Sequence, residues 1–202
     1  MKPLAGLPSP LWILGTGTGV GKTFVAAAIA RAWAELGPVS YRKPFQTGVD
    51  HPDHPDADAT AIVGAGITAE SGVVLKAPLS PLAAAQLEGR TLDLAALATW
   101  CARPSEGRVL LEGVGGLMVP LAPQIHFLAW ATELEIPCVL VALAGLGTLN
   151  HTLLSAEALM LRSWRLEVVV LNPGADGTEP VIAEQNAEIL RGFLPMRVAV
   201  LG

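Results

Sequence analysis

The chain alternates between short, continuously apolar runs and longer segments in which apolar residues recur with helical spacing. Runs rich in Val, Leu and Ile, without a polar residue at every second position, are typical of strands buried on both faces. Such strands are predicted at residues 11–15, 39–42, 108–112, 138–142 and 167–171, with a weaker sixth at 198–201. Helices are predicted between them, at residues 22–36, 59–65, 81–88, 92–102, 124–134, 149–163 and 180–192.

This alternation favours an α/β fold in which a mostly parallel sheet is covered by helices on both faces. We expect one domain spanning residues 1–202, because the length is typical of one core and no linker or repeat interrupts the pattern. In such folds ligands bind beyond the carboxyl ends of the strands. The residues that follow each predicted strand are therefore the candidates for function.

The net charge and the number of cysteines limit which partners the protein could bind and in which cellular compartment it would function. The net charge is −5 and no basic run occurs, which argues against binding to nucleic acid or to an anionic membrane surface. Residues 1–10 lack the apolar core of a signal peptide, and the apolar stretch at 137–149 is too short to span a bilayer. Cys101 and Cys138 are too few for a disulfide framework or a zinc site. A reduced, cytoplasmic protein is predicted.

The first predicted strand runs into a glycine-rich loop, Gly-Thr-Gly-Thr-Gly-Val-Gly-Lys-Thr, at residues 15–23. Backbone N–H groups of such a loop, followed by a helix N-terminus, bind polyphosphate, while Lys22 adds a positive charge and the Thr23 hydroxyl can ligate magnesium. The match to the P-loop pattern is imperfect, because Thr16 stands where that pattern has glycine. A chance succession of glycines after a strand is the alternative, but the strand–loop–helix context favours a nucleoside triphosphate site.

Two further segments follow predicted strands and would meet the loop at the same edge of the sheet. Lys43 opens the segment Lys-Pro-Phe-Gln-Thr-Gly and would bring a second ammonium near the phosphates, with the Thr47 hydroxyl close by. A solvated turn is the alternative for this segment. Glu112 ends a buried strand and precedes glycines, which is the layout of a Walker-B acid that holds magnesium; a turn cap is the alternative there.

The remaining candidates lie in loops. Residues 47–58 are crowded with Pro, His and Asp, and their spacing argues against a dedicated zinc site, although one Asp could complete a magnesium shell. Residues 145–151 open a helix at the ligand edge and could bind a carboxylate. Asn172 follows the fifth strand, where its amide could read a nucleobase edge or only stabilise a turn.

Together these motifs resemble the dethiobiotin synthetases, ATP-dependent carboxylases of biotin biosynthesis. The resemblance rests on residues 15–23, 43–48, 58–59, 112–117 and 147–151 and on Asn172, and it runs from about residue 11 to the end. It implies a P-loop NTPase-like three-layer α/β sandwich and a ligase activity. The implied substrate is 7,8-diaminononanoate, which reacts with CO2 (or bicarbonate) to a carbamate that ATP phosphorylates before the ring closes.

The resemblance also implies a role for each matching residue. Lys22 and Lys43 would be catalytic, and Thr23, Asp58 and Glu112 would hold Mg2+. The nucleotide would contact Thr18, Gly19, Val20, Gly21, Lys22, Thr23, Phe24, Asp58, Glu112, Gly113, Val114, Gly115 and Asn172. The substrate would contact Thr47 and, from the neighbouring subunit of a homodimer, Gly147, Thr148, Leu149 and Asn150.

Departures from the family pattern leave the nucleotide base open. Gly17 and Gly19 replace Asp and an acidic residue of many members, and Gly145 replaces a common lysine. The sequence stops at residues 198–202, about where many members continue into a loop that packs on adenine, so other nucleoside triphosphates are conceivable. Two other classes of P-loop protein are alternatives. A cobyrinate-synthetase-like enzyme would be expected with a partner glutaminase domain that carries a nucleophilic Cys, and neither Cys101 nor Cys138 has a suitable context for that role. A partitioning-type ATPase would carry a further lysine near the start of the loop, and residues 15–21 contain none.

Overall fold

The computed structural model describes residues 6–202. Its strands are β1 (Leu11–Gly15), β2 (Val39–Thr47), β3 (Ile67–Leu75), β4 (Arg108–Glu112), β5 (Pro120–Ala122), β6 (Ile125–His126), β7 (Cys138–Leu143), β8 (Leu166–Asn172) and β9 (Arg197–Val200). Its helices are α1 (Lys22–Ala34), α2 (Asp58–Ile62), α3 (Pro81–Leu87), α4 (Leu94–Ala102), α5 (Phe127–Thr132), α6 (Thr148–Met160) and α7 (Pro180–Phe193). The expectation that residues 1–10 form no signal peptide falls partly on residues 1–5, which lie outside the described residues.

Seven strands form one sheet in the order β3-β2-β4-β1-β7-β8-β9, and every pairing in it is parallel. The sheet buries one apolar cluster against α1 and a second against α4, α5, α6 and α7 on the other face. Burial on both faces explains why the central strands are continuously apolar. The predicted α/β sandwich with a parallel sheet is therefore confirmed.

No helix within residues 6–202 combines the length and the apolar character needed to cross a membrane.

The second strand is longer than predicted and changes the setting of Lys43. β2 continues to Thr47, so Lys43 lies within a strand and not in a turn after residue 42. Pro44 is compatible with this position because the pairing with β4 ends at Arg42, so no N–H is needed on that side. The polar composition of residues 43–47 concealed the strand.

The third strand and a small hairpin were absent from the predictions. β3 is an edge strand whose residues are mostly half-exposed, and Glu70, Ser71 and Gly72 interrupt its apolar pattern. The predicted helix at 124–134 is wrong at its start, because β6 pairs there with β5 in an antiparallel hairpin. The helix begins only at Phe127, where the His126 ring nitrogen accepts a hydrogen bond from the backbone N–H of Ala129 at 3.1 Å.

Candidate active site

A cavity of about 630 Å³ opens at the carboxyl edge of the sheet, beside the loop between β1 and α1. The chain reaches this edge at the ends of β1, β2 and β4, which explains how segments distant in sequence meet. Eleven predicted site residues line the cavity: Thr18, Gly19, Gly21, Lys22, Thr23, Lys43, Thr47, Asp58, Glu112, Val114 and Gly115. The structure thus brings together both predicted lysines and all three predicted metal ligands.

The Lys22 ammonium is held at the glycine-rich loop by backbone carbonyl oxygens. Gly21 precedes α1 with φ of 89°, a left-handed conformation that glycine adopts without strain. The Lys22 Nζ donates to the carbonyl oxygens of Gly17 at 2.8 Å and Gly115 at 3.0 Å. Burial and the nearby charge of Lys43 lower the pKa of Lys22 to about 8, although Glu112 and Asp58 partly oppose the shift.

Two carboxylates and a second lysine form a compact charged cluster below the loop. The Lys43 Nζ lies 2.6 Å from both Asp58 Oδ2 and Glu112 Oε1, and donates to the Gly113 carbonyl at 3.1 Å. The Thr23 Oγ1 lies 2.9 Å from Asp58 Oδ1 and from Glu112 Oε1. Lys43 and Glu112 are almost wholly buried, whereas the Asp58 side chain is 30% exposed toward the cavity.

The cluster keeps Lys43 charged and offers a donor set suited to magnesium. Burial alone would lower the pKa of Lys43, but the charges and hydrogen bonds of Glu112 and Asp58 outweigh it and raise that pKa above its ordinary value. The Thr23 hydroxyl and the two carboxylates present only oxygen atoms on one side of the cavity. Hard oxygen donors of this kind are the ligands that Mg2+ takes in phosphate-binding sites.

Tyr41 completes the cluster and was missed from the sequence. Its hydroxyl donates to Glu112 Oε2 at 2.8 Å, and its side chain is fully buried. Burial, followed by the charges of Glu112 and Asp58, raises the pKa of Tyr41 well above its ordinary value, so the hydroxyl keeps its proton. The available signal was the spacing of two residues from Lys43, which places both side chains on one face of a strand once β2 is recognised.

A second cavity of about 690 Å³ lies on the other side of the glycine-rich loop. Gly19 and Gly21 line both cavities, and the wall of the second is formed largely by Phe24, Asn172, Leu201 and six of the residues 173–180. The Asn172 Nδ2 donates to the Val20 carbonyl at 3.1 Å. A Cβ at Gly21 would lie 2.0 Å from that nitrogen, so the amide packs directly on the loop.

Comparisons with known proteins identify the family to which the chain belongs. A family model described as an AAA domain matches residues 10–202. An ATP-dependent dethiobiotin synthetase of Methylobacterium nodulans is 40% identical over 195 residues, covering 87% of each chain. A protein of the same description from Haloferax mediterranei is 38% identical over 181 residues, covering 86% of this chain and 78% of its own. The chain belongs to the dethiobiotin synthetase family.

The dethiobiotin synthetase family named from the sequence motifs is thereby confirmed. A solved structure of a nucleotide-binding protein from Archaeoglobus fulgidus, in complex with ADP, matches with a TM-score of 0.52 and covers 95% of this chain and 80% of its own. Its sequence is 14% identical, so this likeness speaks only for the fold.

Some residues that the dethiobiotin synthetase resemblance implied lie outside the two cavities. Gly147, Thr148, Leu149 and Asn150 line neither of them. The Thr148 hydroxyl is buried and donates to the Leu143 carbonyl at 2.6 Å, so it stabilises the start of α6 and does not face a ligand in this chain. Val20 and Gly113 take part through carbonyls that accept from Asn172 and Lys43.

Neither cysteine is suited to nucleophilic chemistry. Cys101 and Cys138 are both buried. Burial raises the pKa of Cys101 to about 12 and raises the pKa of Cys138 further, which leaves both as thiols at neutral pH. The cobyrinate-synthetase-like alternative, which needs a reactive Cys, gains no support from this chain.

Proposed function

We propose that the chain is an ATP-dependent dethiobiotin synthetase, a ligase that closes the ureido ring of dethiobiotin from 7,8-diaminononanoate and CO2 in the cytoplasm. The observation that carries the proposal is the convergence of Lys22, Lys43 and the two carboxylates on one cavity, in a chain of this family. Catalysis would consist of positioning and charge neutralisation, since no side chain in the cluster is an activated nucleophile.

The nucleotide would span both cavities across the glycine-rich loop. Its phosphates would lie against residues 18–23 in the first cavity, and its base beside Phe24 and Asn172 in the second. The sharing of Gly19 and Gly21 by the two cavities supports this path, because glycine allows close approach of a ligand to the backbone. ATP is the expected co-substrate, with other nucleoside triphosphates as candidates.

Magnesium would be held by Thr23, Asp58 and Glu112, and the Thr23 hydroxyl oxygen already lies within hydrogen-bond distance of both carboxylates. When bound, the ion would neutralise negative charge on the phosphate oxygens. The chain's own contribution is to keep these three donors on one side of the cavity, where β4, α1 and α2 deliver them.

Lys43 would stabilise the carbamate and the phosphoryl group in transfer. One substrate amine adds to CO2 and releases a proton, giving a carbamate whose oxygen attacks the terminal phosphorus of the triphosphate and expels the diphosphate. The second amine then attacks the carbamoyl carbon, loses a proton and expels phosphate. Because its pKa is raised, Lys43 remains an ammonium near neutral pH and would act through its charge, not as a base.

The substrate would lie in the first cavity, with Thr47 near its amines and Phe45 and Leu79 in the apolar part of the wall. Its carboxylate would be bound by residues 147–150 of a second subunit. The exposed side chains of Leu146, just before α6, and Leu154, within α6, support a homodimer, since they leave apolar surface uncovered in one chain.

The test is direct synthesis. The purified chain is incubated with 7,8-diaminononanoate, bicarbonate, MgCl2 and each of several nucleoside triphosphates, and the products are analysed by mass spectrometry. We expect dethiobiotin and a stoichiometric amount of nucleoside diphosphate. Hydrolysis of the triphosphate that is unaffected by the diamine, without dethiobiotin, would reject the proposal in favour of a partitioning-type ATPase.

A further inference from the structure

Glu112 is held through both of its carboxylate oxygens, by different partners. Its Oε1 lies 2.6 Å from the Lys43 Nζ and 2.9 Å from the Thr23 Oγ1. Its Oε2 accepts a hydrogen bond from the hydroxyl of Tyr41 at 2.8 Å. Tyr41 is the only tyrosine in the chain and lies on β2 two residues before Lys43. Two side chains of β2, Tyr41 and Lys43, therefore donate to different oxygens of one carboxylate.

We propose that Tyr41 is a positioning residue of the active site, which fixes the rotation of the Glu112 carboxylate so that Oε1 faces Thr23, Lys43 and the magnesium position. The inference rests on the proposed function, because it takes Glu112 as a ligand of the ion. Tyr41 lines neither cavity and would touch no substrate.

Because Glu112 is buried, losing the hydrogen bond from Tyr41 should change the orientation of its carboxylate. Glu112 is 1% exposed, so water cannot easily replace a missing donor at Oε2. Without the Tyr41 hydroxyl, Lys43 and Thr23 hold the carboxylate through Oε1 alone, so its rotation about the last torsion is less restricted. Mg2+ demands nearly ideal octahedral geometry, and partners that orient a ligating side chain typically change metal affinity by about 10- to 100-fold.

The first test removes the hydroxyl alone, with Tyr41→Phe. We expect the magnesium concentration for half-maximal dethiobiotin formation to rise about tenfold, with kcat at saturating magnesium within about threefold of wild type. Ser71→Ala is the matched control, because it deletes a buried hydroxyl opposite Lys43 that has no hydrogen-bond partner in the described part of the chain. Equal magnesium dependence in wild type and both variants would overturn the proposal.

The second test needs no catalysis. Protein grown with 3-fluorotyrosine carries one 19F resonance, from Tyr41, which is followed while MgCl2 is added to the ADP-saturated protein. We expect the resonance to differ between wild type and Glu112→Gln, and to respond to magnesium only in wild type. A resonance that neither the substitution nor magnesium moves would reject the role of Tyr41. Failure of dethiobiotin synthesis with a normal 19F response would instead reject only the proposed reaction.

Discussion

The two cavities on either side of Gly19 and Gly21 are similar in size but differ in how they are built. In the first cavity, which we propose holds the nucleotide phosphates (the phosphate side), Lys22, Lys43 and Glu112 are buried, and their charged groups bond to one another or to backbone carbonyls. In the second cavity, which we propose holds the base (the base side), the wall consists largely of Pro, Gly and Ala residues with the ring of Phe24. The phosphate side would therefore bind its ligand mainly through charged groups, and the base side mainly through the shape of its wall.

This difference predicts how substitutions on each side should affect turnover and nucleotide affinity. Removing one member of a buried charge cluster leaves its partners uncompensated, so substitutions on the phosphate side should strongly affect turnover. The base side has few polar groups to lose, and substitutions there should change affinity modestly.

Lys43→Ala should reduce kcat for dethiobiotin formation by at least about a thousandfold, because it removes the buried positive charge expected to face the transferring phosphoryl group. Nucleotide affinity, measured by calorimetry with ADP, should stay within about fivefold of wild type, since Lys22 and the loop remain.

Lys76→Ala provides the control for Lys43→Ala. Lys76 is exposed and lies just beyond β3, outside the lining of the phosphate-side cavity. This variant should retain wild-type turnover. Near-normal ring closure by the Lys43 variant would contradict the assignment of the charged cluster to catalysis.

The same division explains what the sequence could reveal. The phosphate side uses residue types with a specific chemistry after strands with a strong apolar signal, so Lys22, Lys43 and Glu112 could be predicted to converge. Tyr41 could not, because its hydrogen bond depends on the face of β2 that it occupies, and on the contact between β2 and β4. Strand β3 escaped prediction because an edge strand is half-exposed and lacks the continuous apolar run.

Raising the pH should weaken nucleotide binding through Lys22. Its lowered pKa, about 8, means that the free protein loses this proton as the pH rises through 8, whereas bound phosphates would favour the charged form. Binding should therefore take up a proton, and affinity should fall by about tenfold per pH unit above 8. Calorimetry in buffers of different ionisation enthalpy measures both quantities.

Lys22→Arg separates this titration from other effects of pH. An arginine stays protonated throughout this range, so the slope above pH 8 should disappear in the variant even if its affinity differs. A slope that persists in the arginine variant would assign the titration to another group and remove Lys22 from the explanation.

Asn172→Ala should weaken the nucleoside triphosphates of all bases by a similar factor, about fivefold, the equivalent of one hydrogen bond of about 1 kcal/mol. The reason is that the Asn172 amide donates to the Val20 carbonyl and packs on Gly21, so its loss would loosen the loop that we propose binds phosphate. Competition assays with four nucleotides measure the factors. A loss confined to one base would show instead that Asn172 reads the base.

Phe24→Ala should have the smallest effect, a loss of about threefold in affinity for ATP, because the ring is 65% exposed and would contact a base on one side only. Binding of inorganic tripolyphosphate should not change, since that ligand occupies only the phosphate side. Leu36→Ala, two residues beyond the far end of α1 and with a similar exposure of 64%, should leave both affinities unchanged. If Phe24→Ala weakened tripolyphosphate as much as ATP, the ring would act through the glycine-rich loop, and the two cavities would not be separable in function.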